Sequence, residues 1–334
     1  MVSKIKKSIE KFKLNLSGKT VLTEAASGNY VVTPIVAALA GARVIAIAKE
    51  SRFATIEEVK KQTYNLAKKF NLENSISIVL DKSSIDYQEI DILTNTGFVR
   101  PINKEMINKL SNKCVIPLMW EPWEYREADL DLDYCNKKGI KVYGTNESDS
   151  RLQTMKYIGF TVLSFLLENK MSPFSSKVLV LGNEHFTNSI IEVLSLNGYV
   201  FEYKNNYNEK ISVNEYSAIV IAEHENNSLL IGNNEAFINT NQLDKNQYLI
   251  HICGNVDFTD LMCKSNTKNP ARFGYMSFTT DYIDNQAVID LHTAGLKVAE
   301  GMLRANELNL TNQKYKKFME DNYPALSFED ERLW

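Results

Sequence analysis

The feature that most constrains this chain is a rhythm. Short apolar runs rich in Val and Ile alternate with stretches whose apolar positions recur at helical spacing, and the pattern occurs in two blocks. The first block holds KTVLTE (19–24), ARVIAIA (42–48), SISIVL (75–80), DILTNT (91–96), CVIPLM (114–119) and GIKVYGT (139–145). Helices are expected from about Val31 and over 55–70. The second block holds KVLVLG (177–182), YVFEY (199–203), SAIVIAE (217–223), QYLIHIC (247–253) and AVIDLH (287–292), with a helix over 188–196. Strands apolar on both faces, alternating with helices, imply parallel sheets covered on both sides. The fold class is therefore α/β, with parallel sheets in two domains. The apolar stretch 150–170 reads as a crossover helix between them, and the segment after His292 as a second long helix.

With 334 residues and 44% hydrophobic content, the chain has material for two cores. Its net charge of −3 and its lack of a basic block beyond Lys4 to Lys13 give no footprint for a nucleic-acid partner. The run Val31 to Ala48 is apolar enough to suggest a membrane. Pro34, Gly41 and Arg43 split it into helix, turn and strand, so no membrane partner is expected. The chain opens on a basic amphipathic helix rather than a signal peptide. Its four cysteines (Cys114, Cys135, Cys253, Cys263) form no C-x-x-C pair. A cytoplasmic location and the absence of a structural zinc site are the expectations.

The order of elements resembles the D-2-hydroxyacid dehydrogenase superfamily, with its formate dehydrogenase and S-adenosylhomocysteine hydrolase relatives. The matching residues are 91–167, from DILTNTGFVRP through GIKVYGT to the crossover helix, and VIDLHTAGLKVAEGML (288–303), similar to the strand ending in H-x-A-G. The resemblance implies two Rossmann-like domains, a flavodoxin-like substrate domain (1–150, completed by 305–334) and a nucleotide-binding domain (151–304), with the active site expected in the cleft between them. It also implies NAD or NADP, a small-molecule substrate and a homodimer.

It departs from the family where the fingerprint G-x-G-x-x-G belongs. Here Gly182-Asn183-Glu184-His185-Phe186-Thr187 keeps only the first glycine and sets a carboxylate where phosphate would lie. No ribose-binding acid ends the second strand of the block; Lys204 stands there and would suit a 2′-phosphate. The cofactor-binding candidates are Gly182, His185, Thr187, Lys204 and His224, and dinucleotide affinity is expected to be weak or absent.

All four histidines (His185, His224, His251, His292) are read as sitting at the carboxyl ends of strands in the second block, the edge where open parallel sheets bind ligands. Either two or more line one site, or each is a hydrogen-bonded loop or core residue. A metal site is the third alternative, without helical metal-ligand spacing to support it. His292 falls at the family's catalytic position. Asp290, on the same face of the expected strand, would orient it as general acid or base, unless Asp290 merely caps a backbone amide. His251 is a second-tier candidate. The family's catalytic Arg is missing after QYLIHIC, and Arg272 is its expected replacement unless it is simply a surface residue.

Substrate contacts are expected from the loop after DILTNT: Asn95, Thr96, Gly97 and Arg100. Trp120 and Glu121 are expected to stack on and bond a ring, as for a sugar, or else to pack a hinge. The loop Glu24 to Tyr30, with Glu50 ending the next strand, bears a weak likeness to a methyltransferase nucleoside site, although Thr33-Pro34 also reads as a plain helix start.

Overall fold

The computed structural model describes residues 1–209, 211–233, 235–266, 271–279 and 281–328. The chain divides into two compact units, one of residues 1–153 and 285–334, the other of 154–284. The return to the first unit comes at Asn285, some twenty residues before the expected boundary at 304. Of the expected completing segment, 329–334 lies outside the described residues.

The first unit runs α1 (Val2–Phe12), β1 (Thr20–Glu24), α2 (Val32–Leu39), β2 (Arg43–Ile47), α3 (Ile56–Lys68) and β3 (Ile76–Val79). It continues through β4 (Ile92–Leu93), α4 (Lys104–Lys109), β5 (Ile116–Pro117), α5 (Leu132–Lys138) and β6 (Val142–Thr145). The second unit runs α6 (Thr154–Glu168), β7 (Lys177–Gly182), α7 (Glu184–Leu196), β8 (Val200–Lys204), β9 (Ala218–Ala222), β10 (Leu229–Gly232) and β11 (Ile238–Asn239). It ends with β12 (Tyr248–Cys253), β13 (Asn255–Val256) and β14 (Lys264–Ser265). The chain then returns to the first unit with α8 (Gln286–Glu307), α9 (Asn312–Asn322) and β15 (Ala325–Leu326).

In the first unit the strands order as β3-β2-β1-β4, and a bridge between Ile92 and Val115 carries the sheet on to β5 and β6. All these pairings are parallel; only the short β15 runs antiparallel on β6. Alternating side chains feed two cores: Val21 and Val44 pack with α2 and α8, while Leu22 and Ile47 pack on the opposite face. The membrane-like run resolves as predicted into α2, a turn and β2. Gly41 makes that turn at φ +100°, and a Cβ there would lie 2.7 Å from Ser17 Oγ. Among the described residues no helix is long and apolar enough to cross a membrane.

In the second unit the parallel order is β14-β12-β9-β7-β8. Numbered from β7 along the five strands of this sheet, that is 2-1-3-4-5, a doubly wound arrangement. The strand β7 is buried on both faces, with Val178 and Val180 in one core and Leu179 and Leu181 in the other. The chain reverses its winding between β7 and β9, which opens a crevice at their carboxyl ends.

One expected element is wrong in kind. The segment AVIDLH forms the start of α8 rather than a strand. Six residues of alternating polarity fit either structure, and here the apolar positions continue at spacings of three and four through Val298, Met302 and Ala305, with Gly295 and Gly301 carried inside the helix. The helix is buried around most of its girth in the first unit.

Candidate functional site

Two places collect the sequence candidates, one at the switch point of each sheet.

In the second unit, a cavity of about 440 Å³ opens at the carboxyl ends of β7, β8 and β9. It is lined by Asn183, Glu184 and His185 at the start of α7, by Asn205 after β8, and by Glu223, Glu225 and Asn226 after β9. Gly182 ends β7 so close to β9 that a Cβ would sit 2.0 Å from the Ala222 carbonyl oxygen. This glycine is required by strand packing, whatever lies in the cavity. The helix α7 starts four residues before the expected position, so Glu184 and His185 lie in its first turn. Asn183 precedes it, and its Oδ1 lies 2.8 Å from His224 Nδ1. The His185 and His224 rings approach to 5.3 Å between centroids, so two of the four histidines do meet here.

Other cofactor candidates are committed elsewhere. The Thr187 hydroxyl donates to the Asn183 carbonyl one turn back, and Thr187 is fully buried. Lys204 Nζ pairs with Glu202 at 3.1 Å. Glu223, next to His224 in the chain, accepts from the amides of Glu225 and Asn226 and from the Tyr207 hydroxyl. Burial, and after it that last bond, raise the Tyr207 phenol well above its ordinary range.

Neither remaining candidate of this unit reaches the cavity. His251 lies inside β12 with no exposed surface; its Nδ1 meets Ser277 Oγ at 2.7 Å and its Nε2 meets the Gly254 carbonyl at 3.1 Å. Burial lowers its pKa, and the bland reading of a satisfied core histidine applies. Arg272 lies over the Tyr275 ring at 4.7 Å and donates to its hydroxyl.

The first unit gathers the others at the carboxyl edge of its sheet. His292, expected at a strand end, sits within α8, 6% exposed, with Nδ1 2.5 Å from Thr33 Oγ1 in the first turn of α2. Burial pushes its pKa down to about 4. The expected Asp290–His292 pairing does not form. Residues two apart on a helix point about 200° apart, so the strand argument inverts. Asp290 is buried and accepts from Ser8 Oγ, Lys11 Nζ and Gln286 Nε2 instead, anchoring α1 to α8.

The loop after β4 carries Asn95, whose Oδ1 accepts from the Met119 amide, and Thr96, whose hydroxyl joins those of Thr94 and Thr23 in a buried chain. Glu121 is 3% exposed and accepts from Trp123 Nε1 and the Glu147 amide. These three therefore shape the edge rather than face a ligand. Arg100 pairs with Asp129 and stacks over Trp120 at 5.3 Å. Gly97 lies beside a residue that sequence reasoning passed over as a site carboxyl, Glu24: a Cβ on Gly97 would come 3.1 Å from Glu24 Oε2. Burial raises the Glu24 pKa, against the opposing pull of the Phe98 amide it accepts from and of Arg100. A lone acidic residue closing the first apolar strand was its only signal. Glu50 accepts from the Ile56 amide at the start of α3, which removes it from the methyltransferase-like pairing.

No protein-family profile and no curated protein matches this sequence. Solved structures do resemble it. A dipicolinate synthase subunit from Bacillus halodurans matches over 87% of this chain and 98% of its own, at 11% identity and a TM-score of 0.52. A D-lactate dehydrogenase from Treponema pallidum matches over 86% and 97%, at 11% identity and 0.48. An NAD-complexed D-isomer-specific 2-hydroxyacid dehydrogenase from Lactobacillus delbrueckii matches over 89% and 99%, at 11% and 0.46. The resemblance read from the sequence thus holds at the level of the fold, an α/β chain with parallel Rossmann-like sheets.

Proposed function

We propose that this chain is an NAD(P)-dependent oxidoreductase of the D-2-hydroxyacid dehydrogenase type, acting on a small anionic or sugar-like hydroxy or keto substrate. The observation that carries this reading is the 2-1-3-4-5 sheet of the second unit with a cavity at its switch point. A nicotinamide cofactor would supply hydride transfer there.

The backbone of the cavity fits such a group: a strand ends in glycine and the first amides of α7 follow. The side chains weaken the fit. Glu184, Glu223 and Glu225 line the cavity, and no Lys or Arg is among its described lining residues. A pyrophosphate would meet carboxylates, so affinity is low. Lys204 would favour a 2′-phosphate only by leaving Glu202. In the first unit, His292 would meet the reacting oxygen of the substrate, and Gly97 and Trp120 would add further substrate contacts. A homodimer and a cytoplasmic setting complete the reading.

The carboxylates favour a second reading, in which the cavity holds a ligand without phosphate and the chain is a non-redox enzyme or a binding protein of this fold. Calorimetric titration with NAD⁺, NADH, NADP⁺ and NADPH separates the two. Saturable binding of any of them, even at high micromolar Kd, supports the oxidoreductase. No heat and no thermal shift at millimolar cofactor overturns it and leaves the second reading.

A further inference from the structure

We propose that Thr33 is a positioning residue that fixes His292 in its Nε2-protonated tautomer, so that this imidazole offers a ligand oxygen a neutral N–H rather than a lone pair. The inference rests on the reading that His292 faces the substrate. It replaces the acid–base partnership with Asp290, whose carboxylate is bound by Ser8, Lys11 and Gln286.

The argument is an accounting of protons. Three other buried helical threonines of this chain give their hydroxyl proton to the carbonyl one turn back. Thr161 does so to Tyr157 at 2.7 Å, Thr187 to Asn183 at 2.8 Å and Thr293 to Ile289 at 2.7 Å. A fourth, Thr63 in α3, has no hydrogen-bond partner for its hydroxyl among the described residues. Thr33 lies in the first turn of α2, after a short 3₁₀ turn, and makes no such bond. It has no exposed surface, and among the described residues its only partner is His292 Nδ1.

Two arrangements are open to that contact. If Nδ1 carried the proton, it would donate to Oγ1, and the Thr33 hydroxyl proton would be left buried with no acceptor. A stranded donor loses its hydration with nothing in return. If Thr33 donates, Nδ1 uses its lone pair and the ring proton moves to Nε2. Burial, which holds the ring neutral at physiological pH, keeps that lone pair available. Nε2 itself makes no hydrogen bond among the described residues, and His292 as a whole is 6% exposed. The Tyr30 ring, at 5.8 Å and 61°, braces the imidazole from the side.

A neutral imidazole N–H polarises an oxygen without carrying charge to it, so the matching ligand group is a carbonyl, carboxylate or alkoxide oxygen. Thr33 acts on the ligand only through His292.

The test is the tautomeric state. The chain has four histidines, so selective ¹⁵N-histidine labelling gives four ring spin systems. The one missing in His292→Asn is assigned to His292. At pH 7.5, two-bond ¹⁵N–¹H correlations are expected to report the Nε2-protonated pattern in the wild type and in Thr33→Ser. In Thr33→Val that pattern should give way to a tautomer mixture. A wild-type His292 protonated at Nδ1 overturns the proposal, and so does an unchanged tautomer in a folded Thr33→Val. Should Thr33→Val not fold, the wild-type and Thr33→Ser spectra decide by themselves. No cofactor or substrate enters the measurement, so a failed dinucleotide titration and a failed tautomer assignment are separate results.

Discussion

Gly182 and Ala222 touch backbone to backbone across neighbouring parallel strands: a Cβ on the first would stand 2.0 Å from the carbonyl oxygen of the second. A contact so short forces the strands apart. Gly182→Ala is therefore expected to destabilise the protein by about 3 kcal/mol or more. Thermal unfolding checks this, and a melting temperature within a degree of wild type would contradict the packing role. The surviving glycine of the fingerprint is thus explained without a phosphate.

Asp290 holds three donors while largely removed from solvent. Its replacement by Ala leaves a buried serine and an anchoring lysine without their acceptor. A loss of roughly 2–4 kcal/mol is expected, discounted at the upper end because the Lys11 side chain is one-third exposed. Chemical denaturation measures it. Activity per folded molecule, once an assay exists, should be unchanged, and a loss of turnover at unchanged stability would restore Asp290 to the chemistry.

His292 also makes stability depend on pH. Its folded pKa, near 4, lies below the ordinary histidine value of about 6.5. Between those values the unfolded chain binds the extra proton, so stability rises with pH across that window. The contribution is complete above pH 6.5 and is lost as pH falls toward 4, amounting to about 3 kcal/mol in all. His251, also lowered by burial, acts in the same direction. Urea midpoints from pH 4.5 to 7 should fall more steeply with acid in the wild type than in His292→Asn. Parallel curves would refute the assignment.

Carboxylates at the second-unit cavity predict a response to charge removal. The double change Glu184→Gln and Glu225→Gln relieves repulsion at the start of α7 and is expected to tighten NAD⁺ binding by roughly 3- to 10-fold. Paired calorimetric titrations read this, and equal affinities would mean that the cofactor does not approach this helix.

The crossover helix α6 leaves Phe160 and Leu167 about half exposed, seven residues apart on one face. That stripe is where a second copy is expected to pack as a C2 dimer. Light scattering should give twice the 38.1 kDa chain mass, and Phe160→Ser with Leu167→Ser should halve it. A 38.1 kDa particle for the wild type would end the proposal.

Much of this architecture was legible in single residues. KVLVLG is β7 to the residue, because four consecutive apolar positions between a lysine and a glycine admit little else. Thr55 with Glu58 forms the capping box that starts α3. What escaped was partnership. The period of AVIDLH is too short to tell strand from helix, and with the helix went the supposed Asp290–His292 pair. Buried carboxamides and carboxylates such as Asn95 and Glu121 look like ligand-binding groups in a sequence, because their backbone partners, Met119 and Glu147, lie more than twenty positions away. Glu24 was passed over for the opposite reason: nothing local distinguishes a buried acid at a strand end from an exposed one.

The split of the first unit around the second sets an order of events during synthesis. Residues 154–284 leave the ribosome as a complete set, whereas the core of the first unit lacks Val298 and Met302 of α8 until after the second unit has been made. The unit that begins first therefore closes last, and its strands must wait, unfinished, in the care of whatever shields nascent chains.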